Sequence, residues 1–477
     1  MELTDEQRRV VARDLKPNDI LRVMAFAGTG KTSTLIEYAK ARPNLRFLYL
    51  AFNKSVQREA ERRFPANVIS KTSHSLAFRH CGHPYQHKLV AGIKALTVCD
   101  VLALNSYEEA NFTVHTLLNY LGSIDRKIHR EHIPKNGFHF YEKTSMPNIV
   151  NSANQLWQRM CDPDDERIGM LHDGYLKLFQ LSEPVLAFDV IMIDEGQDLN
   201  PCQAYIGLKQ PVARIITGDT HQQIYAFRGA SDFMQRVKAT RTLYLTQSFR
   251  FGPKIAKVAN ILLSFFKHEK HPVAGLRTPR PDGTTSKRTI ISRTNAFLFQ
   301  KAAQLHAGHR IGFVGGIQGY RLQMMEDLFY LRIGETRKIK TSFLRAFPSF
   351  PAVQEYAKRA EDMEIMGGCH VVEGYNRQIS SLIGRIKGAT TDTDKADVIL
   401  TTAHKAKGLE WDTVELCDDF TALMDKKGRP LSHRSIDIDE INLIYVAVTR
   451  ARENLYLQRN GNLETFVRWY LKNNAKK

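Results

Sequence analysis

The chain contains no apolar run near the ~20 residues that a bilayer-spanning helix requires, and its opening, MELTDEQRRV, lacks the apolar core of a secretory signal. A cytoplasmic or nuclear location is therefore expected, beside the nucleoid if the source is bacterial, with neither membrane association nor secretion. The six cysteines, Cys81, Cys99, Cys161, Cys202, Cys369 and Cys417, are scattered and form no C-x-x-C pair, which predicts reduced thiols rather than disulfides. No internal repeat of solenoid period and no low-complexity tract is present. Acidic residues are scarce relative to basic ones: 50 Asp and Glu against 68 Lys and Arg give a net charge of +18. Such an excess favours a polyanionic partner, nucleic acid above all, over a merely basic soluble protein.

At 477 residues the chain exceeds a single hydrophobic core. Short apolar strands alternate with amphipathic helices in two regions, the pattern of parallel α/β domains. The first region carries LRVMAF, RFLYLAF, NVISKT, FDVIMIDE, ARIITGD and RTLYLTQSF; the second carries RTIISRT, RIGFVGG, DVILTTAH, TVELCD and NLYLQR. Residues 80–185 and 318–390 interrupt these regions with mainly helical inserts. The expected organisation is thus a first α/β domain from 1–79 and 186–245, and a second from 246–317 and 391–477.

Within VMAFAGTGKTSTL a buried strand gives way to Gly28, Thr29, Gly30, Lys31 and Thr32, after which a helix begins. Phosphate binding explains that order. Glycines let backbone N–H groups converge on an anion at a helix N-terminus, the lysine reaches the β/γ-phosphates, and the threonine hydroxyl meets magnesium. Ala25 departs from the general pattern, which has glycine there. In VIMIDEGQD, Asp194 and Glu195 emerge at the end of a hydrophobic strand, where ligands of open α/β sheets bind. Asp194 is expected to hold Mg2+ through its waters with Thr32, and Glu195 to polarise the attacking water. The alternatives, a chance glycine turn and two structural acids, explain this pairing less well.

The phrases GTGKT, DEGQD, GDTHQQIYAFRGA, QSFR, TTAHKAKGLEW and YVAVTRA occur in that order. Together they resemble the motif series of superfamily 1 helicases of the UvrD/Rep/PcrA group. AFNKS, AERRFP, KTSHSLA and AKGLEWD are similar to the helicase portion of the F-box DNA helicases within it. The chain starts almost at the first motif, so no F-box is expected ahead of it and recruitment to a ubiquitin ligase is not implied.

The resemblance implies two RecA-like P-loop domains, each with a mainly helical insert, that clamp ATP between them. It implies that Gln7 reads the adenine edge, Phe249 stacks on adenine and Glu410 approaches the ribose. Gln222 would sense the γ-phosphate, with Arg250 and Arg450 contacting it from the second domain. Ser33 stands where UvrD proteins usually carry arginine, which leaves one triphosphate contact in question. Tyr225 and Phe227 would stack on bases, as aromatic platforms beside basic grooves do. Phe52, Asn53, Thr72 and His74 would contact the strand, with His404 as the second-domain counterpart. Core packing is the competing reading for each aromatic residue.

The expected activity is an ATP-dependent helicase and translocase, working as a monomer 3′-to-5′ on single-stranded DNA and its junctions with duplex in recombination, repair or fork processing. Three alternatives stay open: a motor that strips recombinase filaments, an ATP-switched scaffold without motor activity, and an RNA helicase. His80, Cys81, His83 and His87 do not match zinc-finger spacing and are set aside as a metal site. So are His268 and His271, read as a solvated helix end.

Overall fold

The computed structural model describes residues 2–104, 106–134, 146–224, 232–278, 287–359 and 362–474. Contacts divide the chain into two units, residues 1–26 with 30–245 and residues 27–29 with 246–477.

The first unit contains β1 (Ile20–Ala25), β2 (Phe47–Ala51), β3 (Val68–Thr72), β4 (Leu89–Val90), β5 (Met170–Leu171), β6 (Val190–Ile193), β7 (Ala213–Gly218) and β8 (Arg241–Leu245). Six of these form one sheet in the order β3-β2-β6-β7-β1-β8, parallel at every pairing. Three of the four inner strands, β2, β6 and β7, are buried at every residue, the fourth, β1, alternates buried with half-buried positions, and the edge strands β3 and β8 mix buried with more exposed ones. A parallel sheet covered by helices on both faces demands that composition of its centre.

Alternation along each strand feeds two cores. Phe47 and Tyr49 of β2, with Val190 and Met192 of β6, pack against Leu35 and Tyr38 of the helix Lys31–Lys40. Leu48, Leu50, Ile191 and Ile193 face the other way, into a cluster that contains Leu117, Tyr120, Leu156 and Phe179. Those four belong to the helices Tyr107–Gly122, Met146–Cys161 and His172–Leu181 of the long connection from β3 to β6. The helical insertion thus shares its core with one face of the sheet.

Lys177 lies inside that insertion, fully buried. Its ammonium donates to the carbonyls of Ser123 (2.9 Å) and Asp125 (2.6 Å) and to Gln180 Oε1 (2.8 Å), so each proton has an acceptor. Burial lowers its pKa to about 8. The unfolded chain, with an ordinary lysine near ~10.4, binds more protons between those values, so stability rises with pH across the interval. Lys177→Met should lower the melting temperature by orphaning three acceptors. Measured calorimetrically, the deficit should widen from pH 8 to 10 by up to about 1 kcal/mol per pH unit.

The second unit contains β9 (Gln247–Ser248), β10 (Ala274–Gly275), β11 (Arg288–Ser292), β12 (Ile311–Phe313), β13 (Thr390–Thr391), β14 (Val398–Thr402), β15 (Trp411–Leu416) and β16 (Ala451–Leu457). Its six-stranded sheet, β13-β12-β14-β11-β15-β16, is again parallel throughout. The connection from β12 to β13 carries the second helical insertion. Leu328, Val353, Val372 and Ile383 of that insertion join Ile290 and Leu400 of the sheet in one core. Among the described residues no helix is long and apolar enough to cross a membrane.

Candidate nucleotide and nucleic-acid site

After β1 the chain turns through Gly28 and Gly30, both left-handed at φ 73° and 79°. Side chains other than glycine resist that conformation. Gly30 is the N-cap of the helix Lys31–Lys40, whose first turn has no acidic residue and whose cap supplies no side-chain hydrogen bond. The first N–H groups and the positive end of the helix dipole are therefore available to an anion. Thr34 closes the turn, donating its N–H and its hydroxyl to the Gly30 carbonyl, each at 2.9 Å.

Lys31 Nζ meets Glu195 Oε1 at 2.9 Å. Burial alone would push the Lys31 pKa down, but the Glu195, Asp194 and Asp219 carboxylates more than offset it and the net direction is upward. Asp194 is buried and accepts hydrogen bonds from the Tyr49 hydroxyl (2.5 Å), the Thr217 hydroxyl (2.8 Å) and the Glu195 N–H (2.9 Å). Its carboxyl is raised by burial and by Glu195, against the pull of Lys31 and the two hydroxyls. Glu195 itself sits at φ 52°, ψ 45°. A non-glycine residue in that region stores about 1–3 kcal/mol, which persists only where surrounding structure enforces it.

Gln197 ties the acids to the next strand. Its Nε2 donates to Glu195 Oε2 (2.6 Å) and Asp198 Oδ2 (3.2 Å), and its Oε1 accepts the Asp219 N–H (3.1 Å). Asp219 in turn accepts from Gln222 Nε2 at 2.7 Å. Gln222 is thus oriented through a relay that begins at Glu195. The sequence reading missed Tyr49, Thr217, Gln197 and Asp219. The last two stand inside the quoted motifs, whereas a tyrosine and a threonine in buried strands carry no mark of their role.

The residues expected to meet a strand of DNA lie at the same edge of this sheet. Phe52 and Asn53 follow β2, Thr72 ends β3, and His74 lies in the helix Ser73–Ala77 directly after it. Asn53 is exposed and caps the helix Lys54–Arg63 through the Val56 N–H at 2.9 Å. Thr72 forms a capping box with Ser75. His74 Nε2 lies 2.9 Å from Asp173 Oδ1. Phe52 is half-buried. Tyr225 and Phe227 lie outside the described residues. Gln7 is buried, with its side-chain oxygen accepting the Thr4 N–H at 3.0 Å. Thr29 is buried and Thr32 half-buried.

In the second unit Arg250 Nε donates to Glu410 Oε2 at 2.6 Å, and its NH1 to the Thr449 carbonyl at 3.3 Å. Arg450 is almost wholly buried, its Nε on the Val446 carbonyl (2.9 Å) and NH1 on the Leu409 carbonyl (3.1 Å). Arg250, Glu410 and the Thr449–Arg450 corner therefore form one cluster, although the sequence separates them by up to 200 positions. Phe249 and His404 are both half-buried.

A phosphate loop after β1, two carboxylates closing β6 one strand removed from it in the sheet, and two parallel six-stranded sheets define a P-loop protein with two RecA-like domains. The description "UvrD/REP helicase N-terminal domain" matches residues 171–239, which include Asp194, Glu195 and Gln222, and "UvrD-like helicase C-terminal domain" matches residues 372–461, which include His404, Glu410 and Arg450. The chain thus carries both the N-terminal and the C-terminal domain of the UvrD-like helicases. It is 37% identical to F-box DNA helicase 1 of Gallus gallus, over 96% of this chain and 49% of that protein. Identity to F-box DNA helicase protein 1 of Schizosaccharomyces pombe is 32%, over 95% of this chain and 57% of the relative. ATP-dependent DNA helicase UvrD2 of Mycobacterium tuberculosis is 26% identical over 56% of this chain and 46% of its own length. The chain spans about half the length of these relatives.

Proposed function

We propose that the chain is an ATP-dependent DNA helicase and translocase that moves 3′-to-5′ on single-stranded DNA, serving recombination, repair or replication-fork processing. One observation carries this reading. At the C-terminal edge of the first sheet, the order β3-β2-β6-β7-β1 lines up the candidate strand contacts (Thr72 and His74, then Phe52 and Asn53) beside Asp194, Glu195, Gln222 and the phosphate loop. A motor needs its fuel and its track on one rigid frame, and open parallel sheets bind ligands at this edge.

In this reading Lys31 and the loop N–H groups of Gly28 to Ser33 hold the triphosphate, Glu195 orients the attacking water, and Gln222 senses the γ-phosphate. Arg250 and Arg450 supply positive charge as the phosphoryl group transfers, where electrostatic stabilisation dominates catalysis. Gln7, Phe249 and Glu410 hold the base and ribose. Mg2+ suits Thr32 and Asp194, because that ion keeps several waters and needs only one or two protein oxygens besides the phosphates. The Asp194 carboxylate is already pinned by Tyr49 and Thr217 for that purpose. When bound, the ion neutralises charge on the β- and γ-phosphates. Tyr225, Phe227 and His404 complete the strand contacts, and residues 80–185 and 318–390 act as insert subdomains.

Single-turnover unwinding tests the polarity. Duplexes with a 3′ single-stranded tail should be opened and those with a 5′ tail left intact. Opening of only the 5′-tailed substrate would reverse the assignment.

A further inference from the structure

The phosphate loop has a neighbour that none of the roles above employs. Arg63 is the last residue of the helix Lys54–Arg63, and its NH2 lies 3.2 Å from Ser33 Oγ, on the first turn of the helix Lys31–Lys40. Its NH1 lies 2.7 Å from Glu59 Oε1, and the side chain remains 41% exposed. The next residue, Phe64, packs its ring 4.7 Å from that of Tyr49, whose hydroxyl holds Asp194. The end of the Lys54–Arg63 helix is thereby fixed to the acidic half of the site, and Arg63 is fixed to the loop half.

Charge gives this placement a purpose. The ammonium of Lys31 is surrounded by the carboxylates of Glu195, Asp194 and Asp219. A polyphosphate entering there brings further negative charge, and one lysine already shared among three acids offsets little of it. We propose that Arg63 is a nucleotide-phosphate contact, reaching the α- and β-phosphates through the space that the short Ser33 side chain leaves open. The inference rests on the ATP reading above. A planar guanidinium suits this role because its fork grips phosphate oxygens in pairs. The competing account is an ordinary i,i+4 surface ion pair with Glu59, which contributes little.

Equilibrium binding of Mg·ADP and Mg·ATP to the full chain, measured by calorimetry without turnover, separates these accounts. Arg63→Ala should weaken both nucleotides about 10- to 100-fold, the effect of losing a charge-assisted hydrogen bond, with an unchanged melting temperature. Arg63→Lys should recover part of the loss. The double variant Arg63→Ala/Ser33→Arg, which returns a guanidinium to the same space from the other helix, should recover most of it. Glu59→Gln should leave affinity equal or tighter. Unchanged affinity in Arg63→Ala would overturn the proposal. So would a loss that Glu59→Gln reproduces, or a loss that follows a fall in melting temperature. A wild-type chain that binds neither nucleotide would instead bring down the ATP reading itself.

Discussion

Glu195→Gln should lower the rate of ATP hydrolysis by about 10²–10⁴-fold, the range for removing a general base, while nucleotide binding stays as tight or tightens. The amide keeps the shape of the carboxylate and its hydrogen bond with Gln197, which can reorient to donate or accept, so the frame is preserved. What disappears is the negative charge that, in the proposed mechanism, polarises water. Its loss has a second consequence at Lys31. In the structure the ammonium is engaged by Glu195 Oε1 at 2.9 Å, and an incoming phosphate competes with that carboxylate. Without the competitor Lys31 is freer to bind phosphate, which is why affinity does not fall with rate. Stopped-flow turnover and equilibrium binding of the same preparation separate the two quantities. Near-normal turnover would remove Glu195 from the chemical step.

Lys31→Ala should abolish turnover altogether, and with the opposite binding result. The substitution removes the cation from among Asp194, Glu195 and Asp219 and leaves those acids facing the triphosphate. Like charges at close range in a partly desolvated site repel strongly, so ATP affinity should fall about 100-fold or more. Lys31→Arg should not restore it, because the bulkier fork does not match the narrow position of a point charge. Calorimetric titration with ATP measures the loss. Wild-type affinity in Lys31→Ala would show that the loop does not hold the phosphates.

Much of this architecture was legible in the sequence because its cause is local. A parallel strand buried on both faces is dominated by apolar and β-branched residues, so FLYLA, VIMI and VILTT declare themselves, as β2, β6 and β14 respectively. The glycines at 28 and 30 are where a left-handed backbone is needed, and DE after VIMI places charge at a strand end. Other parts depend on pairings that only the tertiary fold creates. Tyr49 reads as a core residue because its ring is buried in the core, yet its hydroxyl meets Asp194, 145 positions away in the sequence. Gln197 and Asp219 stand in quoted motifs, but their link exists because β6 and β7 are neighbours in the sheet. Asn53 and Thr72 show a further difficulty. A polar residue after a strand reads equally as a ligand contact or as the cap of the next helix, and both do cap helices here. β13 is two residues long, too short for any periodicity to reveal.

The central claim is that one edge of the first sheet couples ATP hydrolysis to a bound single strand. The most direct measurement is steady-state hydrolysis with Mg2+, in the absence and presence of single-stranded DNA, across a series of salt concentrations. The account predicts weak basal hydrolysis, strong stimulation by single strands, and loss of that stimulation as salt rises because phosphate contacts release counterions. Hydrolysis indifferent to single-stranded DNA at every salt concentration would contradict it.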